Sequence, residues 1–211
     1  MKEIITIQHP QSEQHLNGMI GSWGDWDLTE LGARHAKRIG MKLREEIREK
    51  RFRLFSSDLP RARHTAEIIA ECLHLEPRYT PLLREMNLGE ANGKTKEWAR
   101  EHAACPLWPG MIDWAQSVDD RPFRGAETKR EVWQRLHTFM EQEISGSDEH
   151  LILVSHDGVL SLFFAMWFGM DVDQLQHSHL SGRKGGVSHL LEDANGHRLM
   201  LCLNDMSFIH D

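Results

Sequence analysis

Residues 151–168, LILVSHDGVLSLFFAMWF, decide the fold. Leu151 to Ser155 form a continuous apolar run of strand length, His156 stands at its end, and Gly158 opens an apolar stretch of helix length through Phe168. A strand with no polar face, followed at once by an apolar helix, belongs to a parallel sheet covered by helices. Toward the N-terminus, Glu3 to Gln8 repeats the first half of that pattern: a β-branched run closed by Pro10, with His9 at its C-terminal end. Between the two, Thr29 reads as the N-cap of a helix running to about Lys50, its apolar or small positions being Ala36, Ile39, Leu43 and Ile47. Arg53 to Ser56 reads as another strand. Asp58 then reads as the cap of a helix whose inner stripe is Ala62, Ala66, Ile69 and Leu73.

From about Leu82 to Gly125 the periodicity weakens, because Gly89, Gly93, Pro106, Pro109 and Gly110 interrupt it. Such a stretch is an excursion over the sheet, and excursions of this kind line sites. A long amphipathic helix follows from Glu127 to about Ile144, its inner face set by Val132, Leu136, Phe139 and Met140. Val187–Leu191 and Leu199–Leu203 flank Asn195-Gly196, a hairpin signal. The expected architecture is α/β: a three-layer α/β/α sandwich with a mostly parallel central sheet. Residues 1–211 are expected to form a single domain, with a loop and helix excursion at about 86–125 over the site.

Composition narrows the function classes. The 211 residues are 40% hydrophobic and 27% charged, with 16 Gly and 7 Pro, the mix of an ordinary folded domain. At that length one core buries roughly 70% of the extended chain's surface without disulfide or metal staples. Lys and Arg total 25 against 32 Asp and Glu, a formal charge of −7, which argues against nucleic-acid binding or a polybasic membrane footprint. The longest apolar run, Val159 to Met170, is interrupted by Ser161 and Gly169 and falls short of the roughly 20 residues a bilayer requires. MKEIITIQHP has no apolar stretch of signal-peptide length. Cys72, Cys105 and Cys202 are odd in number and form no C-x-x-C pair, so free thiols and a cytoplasmic location are expected. The partner expected is a small soluble molecule; oligomeric state has no signal in the sequence.

Ligands of open α/β sheets bind beyond the carboxyl ends of the strands. His9 and His156 each follow such an end. With 14 His in the chain, one at a strand end is unremarkable by itself, but two bring a pair of imidazoles to one rim. Arg61, one helical turn past Asp58, adds a permanently charged fork suited to phosphate, and the helix start after Ser56 and Ser57 favours an anion. Glu85, beside Arg84, reads on its own as half of a surface ion pair. Two other patterns carry less. GEANGKT at 89–95 approximates a phosphate-binding loop, but has three residues between its glycines where four are required and no strand before them. His177 and His179 lack a carboxylate or Cys at ligand spacing, so they read as surface histidines, with no metal and no cofactor expected. The tryptophans pack by default, some of them able to line a pocket for an apolar leaving group.

In combination these segments resemble the histidine phosphatase superfamily, with its phosphoglycerate-mutase-like fold. The similarity runs through IQHPQS at 7–12, DWDLTELG at 25–32, SSDLPRARHTAEII at 56–69, the stretch 85–93, GAET at 125–128 and LVSHDGV at 153–159, and so covers nearly the whole chain. It implies that His9 is the nucleophile accepting the phosphoryl group, that Arg61 binds the phosphate, that Glu85 protonates the leaving oxygen with a pKa raised by partial burial, and that His156 hydrogen-bonds the transferring group. A backbone carbonyl on the other ring nitrogen of His9 is expected to fix its tautomer. The family's Arg-His-Gly is here Gln8-His9-Pro10. An ionic hydrogen bond is worth about 1.5–3 kcal/mol, so a neutral amide at Gln8 slows the reaction about ten- to a hundredfold unless another cation compensates. Pro10 removes one N–H and biases His9 toward extended backbone. Where the family has Asn, six residues after the histidine, stands His15, with Asn17 two further on; either is a candidate phosphate ligand. Asp157 occupies a position where the family commonly has Gly, and its carboxylate is expected to point away while its backbone N–H serves the phosphate. Glu127 and Thr128 match the family's Glu-Ser and give positional support.

The resemblance thus implies a metal-independent phosphomonoester hydrolase acting on a small phosphorylated metabolite through a phosphohistidine. Two alternatives stand beside it: phosphoglycerate-mutase-type transfer, for which the chain is short, and a phosphate-binding relative that has lost catalysis, suggested by Gln8, Pro10, His15 and Asp157. The substrate depends on how residues from about Met86 to Arg124 fold over the pocket.

Overall fold

Alternate residues of a strand face opposite sides of its sheet, and in this chain both sides are apolar. In strand β1 (Lys2–Gln8), Ile4 enters one buried cluster while Ile5 and Ile7 enter another on the far side. The computed structural model describes residues 1–48, 50–108 and 114–209. Five further strands follow: β2 (Phe52–Ser57), β3 (Pro77–Thr80), β4 (His150–Ser155), β5 (Val187–Glu192) and β6 (Arg198–Asp205). The helices are α1 (Gln14–Asn17), α2 (Glu30–Ile47), α3 (Pro60–Leu73), α4 (Lys96–His102), α5 (Lys129–Glu143) and α6 (Asp157–Trp167).

The strands form one sheet in the order β3-β2-β4-β1-β5-β6. The first four are parallel, while β5 runs antiparallel to β1 and β6 antiparallel to β5. Helices α2 and α3 supply one covering layer, through Ile39, Leu43, Ala62, Ala66 and Ile69. Helices α5 and α6 supply the other, through Val132, Leu136, Phe139, Phe163 and Trp167. The mostly parallel three-layer sandwich is therefore the observed fold.

Threonines cap two of the long helices. Thr29 accepts the Gly32 N–H at 3.1 Å, and Thr128 forms a reciprocal capping box with Glu131, which starts α5 at Lys129, two residues later than the sequence reading places it. Every residue of α6 from Gly158 to Trp167 is buried, which accounts for its almost wholly apolar sequence. Among the described residues no helix is long and apolar enough to cross a membrane.

Two points of the sequence reading need correction. Asp58 does not cap α3: its carboxylate takes both forks of Arg84, at 2.6 and 2.7 Å, and the helix begins after Leu59 with Pro60 at its first position. The edge strand β3 has no counterpart in the sequence reading, being four half-exposed residues without alternation. Within the stretch 86–125, Thr95 caps α4 by accepting the Trp98 N–H at 3.1 Å. Pro109 and Gly110 lie outside the described residues.

The register of the central pair positions the chemistry. Gln8 of β1 pairs with Ser155 of β4, and the next N–H along, that of His9, donates to the Ser155 carbonyl at 3.1 Å. His9 and His156 thus leave adjacent strands at the same level. The end of β2, at Ser57, lies on the other side of β4.

Candidate active site

The imidazole of His9 is buried, and its Nδ1 lies 2.9 Å from the Pro10 carbonyl oxygen. A carbonyl only accepts, so Nδ1 carries the proton and Nε2 presents a lone pair. That lone pair accepts from Arg61 Nε at 3.2 Å. Burial, then the charges of Arg61 and His15, hold the His9 pKa well below its ordinary value, so the ring is neutral near pH 7. The expected backbone carbonyl is present, and it belongs to the residue that departs from the family motif.

Arg61 is 1% exposed. Besides His9 it donates to the Ser22 carbonyl at 2.7 Å and to the Gly24 carbonyl at 3.2 Å, so the 22–24 loop and the first turn of α3 fix the guanidinium from two directions. Burial lowers its pKa to about 10, opposed by the charge of Glu85, and it stays a cation at neutral pH. His156 stands edge-on to His9 with ring centroids 5.1 Å apart. Its Nε2 lies 2.9 Å from Ser57 Oγ, while its buried Nδ1 has no hydrogen-bond partner. Burial and the Arg61 charge depress its pKa as well.

Glu85 comes in from the 3-10 turn Pro81–Leu83 and is 9% exposed. Its Oε1 accepts the Met86 N–H at 2.9 Å and its Oε2 the Gly158 N–H at 3.3 Å, which ties the carboxyl group to the start of α6. Gly158 is required there, because a Cβ would fall 2.0 Å from Cζ2 of the buried Trp114 and 2.8 Å from Glu85 Oε1. Trp114, from the excursion, therefore presses directly on the site.

His9, Arg61, Glu85 and His156 share one cavity of about 240 Å³, with Gln8, His15 and Asp157 also in its wall. His15 stacks on His9, centroids 5.7 Å apart. Its Nδ1 accepts the Ser12 N–H at 3.0 Å, so the neutral ring carries its proton on Nε2. Burial, followed by Lys184, Arg61 and Lys96, lowers its pKa to about 4. Gln8 has its Oε1 buried without a partner. The Asp157 carboxylate accepts from the Gly182 N–H at 2.5 Å and from Ser181 Oγ at 3.2 Å, and so turns toward the 181–182 segment as expected.

Asn17 is not brought to the cavity. Helix α1 ends there, Gly18 takes a left-handed φ of 73°, and the Asn17 carboxamide oxygen caps the resulting turn by accepting the Met19 N–H at 2.9 Å. His179 is not a surface histidine either: its Nε2 lies 3.5 Å from Asp157 and its side chain is 13% exposed. His177 is exposed as expected, and among the described residues no group of three or more His, Cys, Asp or Glu could hold a metal ion. GEANGKT forms a 3-10 turn at Gly89–Ala91 and leads into α4 rather than cradling an anion.

The sequence reading missed Lys96, Gln14 and Ser22, all in the cavity wall. Lys96 had a usable signal, the Thr-x-x-Trp start of a helix in the excursion. Ser22 had none: its φ of 33° and its Oγ, donating to the Met86 carbonyl at 2.7 Å and accepting the Leu88 N–H at 2.9 Å, are tertiary features.

The family model of the histidine phosphatase superfamily (branch 1) matches residues 4–205. The adenosylcobalamin/alpha-ribazole phosphatase of Salmonella typhimurium is 31% identical over 177 residues, 81% of this chain and 82% of that protein. The 2,3-bisphosphoglycerate-dependent phosphoglycerate mutase of Nitrobacter hamburgensis is 33% identical over 147 residues, 67% of each chain. Among solved structures, the mycobacterial glucosyl-3-phosphoglycerate phosphatase in complex with VO3 superposes with a TM-score of 0.80 at 21% identity, covering 97% of this chain and 99% of that one.

Proposed function

The chain belongs to the histidine phosphatase superfamily, and from that premise we propose that it hydrolyses phosphomonoesters of small metabolites through a phosphohistidine at His9. One observation carries the reading: a neutral imidazole with its lone pair on Nε2, a buried guanidinium, a second imidazole and a carboxyl group face the same cavity.

In the first step His9 Nε2 attacks phosphorus in line. The N–P bond forms, the P–O ester bond breaks, and Glu85 in its protonated form passes its proton to the departing oxygen. The Nδ1–H stays on the Pro10 carbonyl, which stabilises the charged ring. Arg61 must release Nε2 and turn its N–H groups to the phosphoryl oxygens, while His156 and the Nε2–H of His15 serve the others; the unpartnered His156 Nδ1 supports its share in this. In the second step Glu85, now ionised, takes a proton from water, the hydroxide attacks phosphorus, and the P–N bond breaks. Gln8 stands where a guanidinium would grip the phosphate; the nearby cations Lys96 and Lys184 both lie close enough to His15 to lower its pKa, and Q8R tests whether they make up for the missing charge.

We read residues 1–211 as one domain with an excursion at about 86–125 over the site, a reading supported by Lys96 in the cavity wall and by Trp114 packed against Gly158 beside Glu85. The three free thiols support a cytoplasmic location. Mutase-type transfer is the second reading, favoured by the Nitrobacter relative; release of phosphate against isomerisation of a phosphoglycerate separates the two. Brief incubation with a labelled aryl phosphate should leave acid-labile phosphate on the wild-type protein and none on H9A. Turnover without label contradicts the mechanism, and equal background rates for wild type and H9A would make the protein a phosphate binder without catalysis.

A further inference from the structure

Glu85 is held by its main chain as well as its carboxyl group. Arg135, on α5, donates from Nη1 to the Leu82 carbonyl at 2.8 Å and from Nη2 to the Glu85 carbonyl at 3.0 Å. The rest of its fork grips Glu127, Nε to Oε1 at 2.8 Å and Nη2 to Oε2 at 3.1 Å. Glu127 in turn accepts the Asn87 N–H at 2.7 Å on Oε2 and donates its own N–H to the Asn87 carbonyl at 2.8 Å. One ion pair therefore fixes the backbone three residues before Glu85, at Glu85 and two residues after it. The two side chains are only 14% and 19% exposed.

A partly buried pair is a weak source of stability, because desolvation offsets much of its attraction, and the backbone partners of this one point to another role. Its partners indicate which. A carboxyl group that must give a proton to one oxygen and later take one from water has to stand within a fraction of an ångström of its place, and a misplacement of about 1 Å costs on the order of a hundredfold in rate. Arginine suits the task because its planar fork serves the carboxylate and two carbonyls at once, which the single ammonium of lysine cannot reproduce.

We propose that the Arg135–Glu127 ion pair sets the Glu85 carboxyl group in line with the leaving oxygen, making both of them positioning residues of the proton-transfer step. The inference rests on the reading of Glu85 as proton donor, and the test keeps the two apart. Glycerol phosphate releases an alkoxide that needs a proton as it leaves; dinitrophenyl phosphate releases a stable anion that does not. The comparison is kcat/KM for wild type, E85Q, R135K and E127Q on both substrates, since this ratio covers only the steps up to departure of the leaving group.

E85Q should lose about a hundredfold or more on glycerol phosphate and less than about threefold on dinitrophenyl phosphate. R135K and E127Q should follow the same pattern at about tenfold on the first substrate, with a far-ultraviolet spectrum like the wild type's. If they slow both substrates equally, or neither, while E85Q discriminates, the proposal is wrong and the role of Glu85 stands. If E85Q treats both substrates alike, the role of Glu85 falls and the proposal with it. Should R135K not fold, E127Q, which keeps the side chain's shape and one acceptor, carries the same comparison; if neither folds, the pair holds the fold rather than the acid, and the proposal is overturned.

Discussion

Replacing His15 with Asn probes the electrostatics of the cavity directly. In the folded protein burial and the nearby cations bring the His15 pKa from its ordinary 6.5 to about 4. Between those values the unfolded chain binds a proton that the folded ring refuses, so the stability linked to His15 is fully present above pH 6.5 and is lost as pH falls toward 4. The whole gap corresponds to about 3 kcal/mol, which screening by water in the cavity reduces to about half. Over the interval from pH 7 to pH 5 the wild type should therefore lose about 1 kcal/mol more than H15N. His9 and His156 shift in the same direction, but burial and Arg61, the leading causes of both shifts, are common to the two proteins, so most of their effect cancels in the difference. Urea unfolding of the two proteins at each pH measures this. Equal losses would mean that the folded ring titrates near its ordinary value, and that the neutral donor assigned to His15 at pH 7 is not enforced by its surroundings.

Two further substitutions test neighbouring parts of the site. Q8R adds an ionic hydrogen bond worth about 1.5–3 kcal/mol to the bound phosphate and should raise kcat/KM about tenfold or more, whereas an unchanged rate would mean that Lys96 and Lys184 already meet the need. G158A drives a methyl group into the Trp114 ring and toward Glu85 Oε1, which should lower the unfolding free energy by about 1–3 kcal/mol and kcat/KM by about a hundredfold; wild-type values of both would show that the excursion yields at no cost.

The strands bearing His9 and His156 were legible because burial on both faces leaves an unbroken apolar run, and because an apolar run that stops at a histidine marks its own end. The long helices announced themselves through their apolar stripes, and Thr29 through a cap that is local. What stayed hidden depends on partners distant in the chain. Asp58 looks like a cap until Arg84 claims its carboxylate, and His179 looks like a surface residue until Asp157 faces it. Asn17 has the chemistry of a phosphate ligand, but a glycine turn just after it sends its carboxamide elsewhere. The part of Lys96 in the cavity wall follows from how the excursion lies, which apolar periodicity does not encode.

The pairing of Gln8 with Ser155 means that the two imidazoles are spaced by peptide hydrogen bonds rather than by their own packing. A single-residue insertion in either strand would carry one histidine to the opposite face of the sheet, while most substitutions along 86–125 leave both untouched. The reactive centre is thus tied to the length of two strands, and any change in that length separates its two imidazoles.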